Sequence, residues 1–159
     1  MRKAVFAGTF DPFTLGHLDI AQRASKLFDT VYIAVMDNPG KCASRFTMEE
    51  RTELIKDAVK DLNNVETLSY RGLVVDLCRK LNADCMIRGL RNGPEVDYER
   101  QLEAVNRRIG PDIETVFLLS KPELAYINSS LVRQLMDIGI GIDSLVPNPE
   151  HKIYERKRL

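Results

Sequence analysis

The sequence predicts an α/β fold, a Rossmann-like doubly wound sheet of five parallel strands with helices on both faces. Short apolar runs alternate with amphipathic stretches from one end of the chain to the other. Several runs are apolar on consecutive residues rather than on every second one, as strands covered on both faces require. Turns, cations and hydroxyls also collect after the strands and not after the helices, at the edge where open α/β sheets bind ligands.

The first strand is read at Ala4–Ala7 and leads into Gly8-Thr9-Phe10-Asp11-Pro12-Phe13-Thr14-Leu15-Gly16-His17. Ile20, Ala24, Leu27 and Phe28 then share one helical face. Val31–Met36, the second strand, is followed by Asn38-Pro39-Gly40-Lys41. The second helix carries Leu54, Ile55, Ala58, Val59 and Leu62, and it opens with Thr47-Met48-Glu49-Glu50. That opening is a capping box, in which Thr47 and Glu50 each satisfy a free backbone amide. Strand three, Val65–Leu68, precedes a helix with Val74, Leu77, Cys78 and Leu81 on its apolar face. Strand four, Cys85–Ile87, runs into Arg88-Gly89-Leu90-Arg91. Through Gly93-Pro94 the chain enters a helix with an apolar face of Tyr98, Leu102, Val105 and Ile109. The fifth strand, Ile113–Leu119, is followed by Ser120–Ser130 and a helix bearing Leu131, Val132, Leu135 and Met136. Gly139–Glu150, with Pro147 and Pro149, reads as a loop before a short C-terminal helix beginning after about residue 148. No linker, repeat or low-complexity tract divides the chain, so residues 1–159 are expected to form one domain.

Composition narrows the function. The 159 residues are 44% hydrophobic, enough for a substantial core. Lys plus Arg equals Asp plus Glu at 23 each, so the chain lacks the cationic field of a general nucleic-acid or anionic-membrane binder. No apolar stretch approaches a membrane span or a signal-peptide core, and a cytoplasmic protein is expected. Three cysteines and two histidines, without paired spacing, indicate neither a disulfide framework nor a zinc site. Cys42 has no partner that would complete a nucleophilic site. Both the Gly-x-Gly-x-x-Gly dinucleotide signature and the P-loop signature are absent.

What collects at the strand ends suits an anionic, phosphorylated ligand. Gly16 and His17 fall in the first turn of a helix, where free amides and the dipole attract phosphate and His17 can donate a hydrogen bond. The plainer reading is an ordinary cap by Thr14. Arg88 and Arg91 can grip phosphates in a fork that lysine cannot match, or can pair with Glu95 or Asp97 instead. Lys41 offers a point charge. Ser129 and Ser130 are either helix N-caps or a phosphate cradle. Glu99 is either a ribose acceptor or a helix-surface charge.

The string Gly-Thr-Phe-Asp-Pro-x-Thr-x-Gly-His resembles the nucleotidyltransferase superfamily related to class I tRNA synthetases. With Ile87-Arg88-Gly89-Leu90-Arg91, Asp97-Tyr98-Glu99 and Ile127-Asn128-Ser129-Ser130-Leu131-Val132, the chain is similar to the bacterial phosphopantetheine adenylyltransferase family from Ala4 to about Pro147. The resemblance implies transfer of the adenylyl group of ATP to 4′-phosphopantetheine, without a covalent enzyme intermediate. It places Thr9, Lys41, Val74 and Arg88 on phosphopantetheine. ATP would fall to Thr9, Phe10, His17, Gly89, Leu90, Arg91, Glu99, Leu124, Ala125, Tyr126, Ile127, Asn128, Ser129 and Ser130. His17 would stabilise the transition state, with Lys41, Arg88 and Arg91 neutralising charge. Mg²⁺ on the ATP phosphates, a hexamer of two trimers and feedback binding of coenzyme A are also implied. Asn128 stands where the family commonly has a serine, and Leu124 where an aromatic is frequent. Relatives that use nicotinamide mononucleotide or CTP generally carry a histidine at the position of Thr14. A non-catalytic nucleotide sensor would not need the acceptor-side residues.

Overall fold

The computed structural model describes residues 1–37 and 44–157. Five strands form one parallel sheet: β1 (Lys3–Gly8), β2 (Thr30–Met36), β3 (Val65–Tyr70), β4 (Cys85–Leu90) and β5 (Glu114–Leu119). Their order is β3-β2-β1-β4-β5, so the chain first winds outward from β1 through β2 to β3 and then crosses back to β4. The reversal leaves a crevice at the carboxyl ends of β1 and β4, the position at which doubly wound sheets take ligands. Register is continuous across the middle, with Phe6 opposite Ile33 on one side and Ile87 on the other.

β1 and β2 are apolar on consecutive residues because both their faces are covered. Phe6, Ile33 and Ile87 pack with Ile20, Ala24 and Ile55 on one face, whereas Val5, Ala34 and Met86 pack with Val75, Leu77 and Cys78 on the other. The covering helices are α1 (Leu15–Leu27), α2 (Met48–Ala58), α3 (Val74–Leu81) and α4 (Gly93–Ile109). The capping box expected at Thr47 and Glu50 is present, with Thr47 N–H donating to Glu50 at 2.9 Å and Glu50 N–H to the Thr47 hydroxyl at 3.1 Å. A third apolar cluster joins Phe46 and Ile127 to α5 (Ser129–Asp137) and α6 (Lys152–Lys157), through Val132, Met136, Leu145, Ile153 and Tyr154. The Leu15 N–H at the start of α1 donates to the Leu145 carbonyl at 2.9 Å, so this cluster also steadies the mouth of the crevice.

α4 packs differently from its apolar pattern. Tyr98, Val105 and Ile109 are 61%, 55% and 42% exposed, and the helix's one buried residue is Glu99. The sheet side is instead polar, with Glu99 bound to Arg88 and Asn106 donating to the Met86 sulfur at 3.4 Å. The ion pair lies on the inward face, Leu102 is partly covered, and Tyr98, Val105 and Ile109 are left facing out.

Candidate active site

The turn after β1 is built around an aromatic stack. Phe10 adopts φ 50°, the left-handed region, which costs a side-chain-bearing residue about 1–2 kcal/mol. Its ring folds back over Gly8, where a Cβ would lie 2.8 Å from the ring's Cζ. It then meets Phe6, Phe13 and His17 edge-on at centroid distances of 5.2, 5.4 and 5.0 Å, while Phe13 stacks on His17 at 5.4 Å. The imidazole is held by hydrocarbon on its flanks.

Its polar contacts fix its proton. Thr14 is the N-cap of α1, accepting the His17 N–H on its hydroxyl at 3.4 Å, and the Thr14 N–H donates to His17 Nδ1 at 3.0 Å. Histidine therefore takes the part that Glu or Gln usually plays in a capping box. Because Nδ1 is the acceptor, the proton of the neutral ring sits on Nε2. Burial, then Arg91 and Arg88, lower the His17 pKa to about 3. The capping reading and the functional reading of Thr14 and His17 thus describe one arrangement: the cap presents a neutral N–H donor.

At the end of β4, Arg88 donates from Nε and Nη2 to the two carboxylate oxygens of Glu99 at 2.8 and 2.6 Å, and from Nη1 to the Ala7 carbonyl at 3.1 Å. Of its five N–H groups, one on each terminal nitrogen is left for a ligand. Glu99 is occupied with orienting Arg88 rather than standing free for a ribose. Arg91 pairs with Glu95 and donates to the Ile127 carbonyl at 3.3 Å, tying β4 to the segment before α5. Gly89 lets Ile20 of α1 approach, since a Cβ there would lie 3.3 Å from Ile20 Cγ1, and Leu90 is buried. Val74 opens α3 at the same edge, half-buried against the second cluster.

The Leu124–Ser130 segment closes over the start of α1. A Cβ on Gly16 would lie 3.8 and 3.9 Å from the Leu124 and Ile127 carbonyl oxygens, so Gly16 faces this segment. Asn128, not Ser129 or Ser130, caps α5 by accepting the Leu131 N–H at 2.8 Å. Ser129 donates to the Pro12 carbonyl at 2.8 Å, and Ser130 accepts from Arg133 at 3.2 Å. Ala125 is half-buried and Tyr126 is exposed. The crevice therefore gathers Thr9, Phe10, His17, Arg88, Arg91, Glu99 and the 124–130 segment. Lys41 and Cys42 lie outside the described residues.

Comparison with known proteins gives the family and the fold. A family model described as cytidylyltransferase-like matches residues 5–135. A phosphopantetheine adenylyltransferase of Caldanaerobacter subterraneus subsp. tengcongensis is 41% identical over 148 residues, covering 93% of this chain and 92% of that one. Another, from Limosilactobacillus reuteri, is 46% identical over 147 residues, covering 92% and 84%. The chain belongs to the phosphopantetheine adenylyltransferase family. Among solved structures, a Vibrio parahaemolyticus protein assigned as a nicotinate-nucleotide adenylyltransferase superposes with a TM-score of 0.67 at 19% identity, over 99% of this chain and 94% of that one. A bifunctional NMN adenylyltransferase/ADP ribose pyrophosphatase from Francisella tularensis gives 0.73 at 18% identity, over 98% of this chain and 48% of that longer one. At such identities these two carry the fold.

Within this adenylyltransferase-family fold, the structure adds residues that the sequence reading did not single out. Asp11 is buried and accepts the N–H groups of Arg45 and Phe46 at 3.1 and 2.9 Å, with Arg133 3.6 Å away. Asp19, also buried, pairs with Arg23 and Lys121 at 3.2 Å each, anchoring the segment after β5 to α1. Arg51 is buried beneath Thr9. Only the position of Asp11 inside the first motif could have flagged it; Asp19 and Arg51 look like ordinary helix-surface charges.

Proposed function

We propose that this chain transfers the adenylyl group of ATP to the phosphate of 4′-phosphopantetheine, giving 3′-dephospho-coenzyme A and pyrophosphate. The observation that carries the proposal is the constellation at the crevice. A neutral imidazole with its Nε2 proton free stands at the N-terminus of α1, beside two arginines at the end of β4. Substrate phosphates can meet donors there without meeting a base.

No base is needed. The acceptor is a phosphate monoester whose second pKa is about 6, so at neutral pH it is already largely dianionic and nucleophilic. Its attack on the α-phosphate requires alignment of two mutually repelling anions and neutralisation of the charge that builds between them. His17 donates from Nε2 to a non-bridging α-phosphate oxygen. Arg88 holds the acceptor phosphate with its two remaining N–H groups, and Arg91 serves the nucleotide side. Lys41 adds a charge to the acceptor side. Thr9 and Val74 contact phosphopantetheine; Phe10, Gly89, Leu90 and the Leu124–Ser130 segment complete the nucleotide pocket, while Glu99 acts on the acceptor side by orienting Arg88. In-line attack forms the new P–O bond as the bond to pyrophosphate breaks, with no covalent enzyme intermediate.

Magnesium demands oxygen ligands and usually keeps several waters, binding through substrate phosphates and one or two carboxylates. The described crevice residues are chiefly cations and N–H donors, with Asp11 and Glu99 already engaged, so the ion would be held by the ATP phosphates and water rather than by a side chain of this set. When bound, the ion would supply charge neutralisation on the leaving pyrophosphate. The whole chain acts as one nucleotidyltransferase unit, in the cytoplasm; among the described residues no helix is long and apolar enough to cross a membrane. A homohexamer is what the family resemblance implies, and in it a partner copy would cover the outward apolar stripe of Tyr98, Val105 and Ile109. Coenzyme A, sharing the pantetheine arm with the product, is proposed as a feedback ligand of the same groove.

A pyrophosphate-release assay with Mg-ATP tests the proposal, using 4′-phosphopantetheine, unphosphorylated pantetheine and nicotinamide mononucleotide as acceptors. Release with phosphopantetheine alone is expected. Release with the mononucleotide instead would overturn the acceptor, and silence with all three would overturn the reaction.

A further inference from the structure

The mechanism above makes no use of the buried arginine of α2. Arg51 is 3% exposed, and its guanidinium reaches three backbone carbonyls at the carboxyl edge of the sheet. Nη1 donates to Thr9 at 2.7 Å and to Met36 at 3.5 Å, and Nε donates to Thr47 at 3.2 Å. The three carbonyls belong to three separate pieces of chain: the turn after β1, the last residue of β2 and the N-cap of α2. None of these partners is a carboxylate.

A buried cation is expensive unless it is well paired, and an apolar side chain of similar size often serves a core better. An apolar residue, however, would leave the Thr9, Met36 and Thr47 carbonyls without this donor. Lysine, a point charge on a flexible stem, cannot span three acceptors as the planar fork does. The bond to Thr9 also has a consequence one residue further on. Phe10 sits in a left-handed conformation, and its ring is the edge-on neighbour of His17. A shift of the Thr9 carbonyl would therefore move the wall that holds the imidazole.

We propose that Arg51 is a positioning residue for the adenylyl-transfer site, fastening the Thr9–Phe10 turn to the ends of β2 and α2 and through that turn holding His17 in place. No described carboxylate lies in ion-pair contact with it, so its charge adds to the field that draws phosphates to this edge. The inference rests on the functional reading above. Arg51 itself touches no substrate.

The test compares wild type, Arg51→Lys and Arg51→Met at 25 °C, with wild-type transfer to phosphopantetheine established first. Absence of wild-type transfer would sink the functional reading, whatever the variants do. With transfer established, kcat and both KM values are measured alongside melting temperature and the stoichiometry of ATP binding. Stoichiometry separates slower molecules from fewer folded ones. Both variants are expected to bind about one ATP per chain with affinity within threefold of wild type, while kcat falls at least tenfold and the lysine gives little rescue. Wild-type kcat and KM values in either folded variant would overturn the assignment. So would a loss of rate matched by a loss of ATP-binding sites, or failure of both variants to fold, because Arg51 would then serve the fold alone.

Discussion

Arg88 and Glu99 are locked face to face, Nε and Nη2 of the arginine donating to both oxygens of the carboxylate at 2.8 and 2.6 Å. This pair aims the guanidinium from β4 into the crevice and turns the polar side of α4 toward the sheet. Glu99→Ala is expected to free Arg88 and raise the KM for the phosphorylated acceptor about tenfold. Stability should fall by about 2 kcal/mol, the scale for hydrogen bonds to charged groups. Steady-state kinetics and a denaturant titration check both; an unchanged acceptor KM would mean that Glu99 does not aim Arg88.

In the proposed mechanism His17 is the donor on which transition-state stabilisation rests. His17→Ala should lower kcat by about a hundredfold or more, the scale of losing one oxyanion donor, while ATP affinity changes little. Rates and direct ATP binding, measured side by side, check it.

The same residue sets a pH signature. Burial, with Arg91 and Arg88, brings its pKa from 6.5 down to about 3. Between those values the unfolded chain holds a proton on His17 that the folded chain refuses, so stability falls as pH drops through the window. This group contributes at most about 1.4 kcal/mol per pH unit. His17→Gln should flatten the slope of unfolding free energy from pH 6.5 downward, as followed by urea denaturation across that range.

Asp11 accepts the Arg45 and Phe46 N–H groups in a buried setting. Asp11→Ala leaves both without an acceptor, at about 1–3 kcal/mol each. For a chain of this size a loss of that order lowers the melting temperature by roughly 2–4 °C per kcal/mol, which calorimetry reads.

The outward stripe on α4 predicts assembly. Val105→Glu with Ile109→Glu places charge on residues that are 55% and 42% exposed, so the folded protomer should survive. Sedimentation is expected to show the wild type as an oligomer and the double variant as smaller species.

The strands were legible because parallel sheets demand consecutive apolar residues, and Ala4–Ala7, Val31–Met36 and Cys85–Ile87 all fall inside observed strands. The crevice was legible because its motifs follow those strands. Arg51 and Asp19 were not, because periodicity marks a charged residue as outward, and only the fold shows carbonyls or countercharges waiting for it. The α4 stripe was legible as an apolar face. That Tyr98, Val105 and Ile109 turn outward accompanies the Arg88–Glu99 pair on the opposite face, a contact across eleven residues that no local pattern encodes. Asn128 as the cap of α5, in place of either serine, likewise depends on where the helix starts, and helix ends are the least legible part of any sequence.

In the proposed mechanism the acceptor phosphate is itself the nucleophile at the α-phosphorus, and the most direct test of this uses phosphopantetheine labelled with ¹⁸O in its phosphate and unlabelled Mg-ATP, with products resolved by chromatography and mass spectrometry. The account predicts dephospho-coenzyme A that keeps the label and pyrophosphate that carries none. Labelled pyrophosphate, or AMP formed without labelled dephospho-coenzyme A, would contradict it.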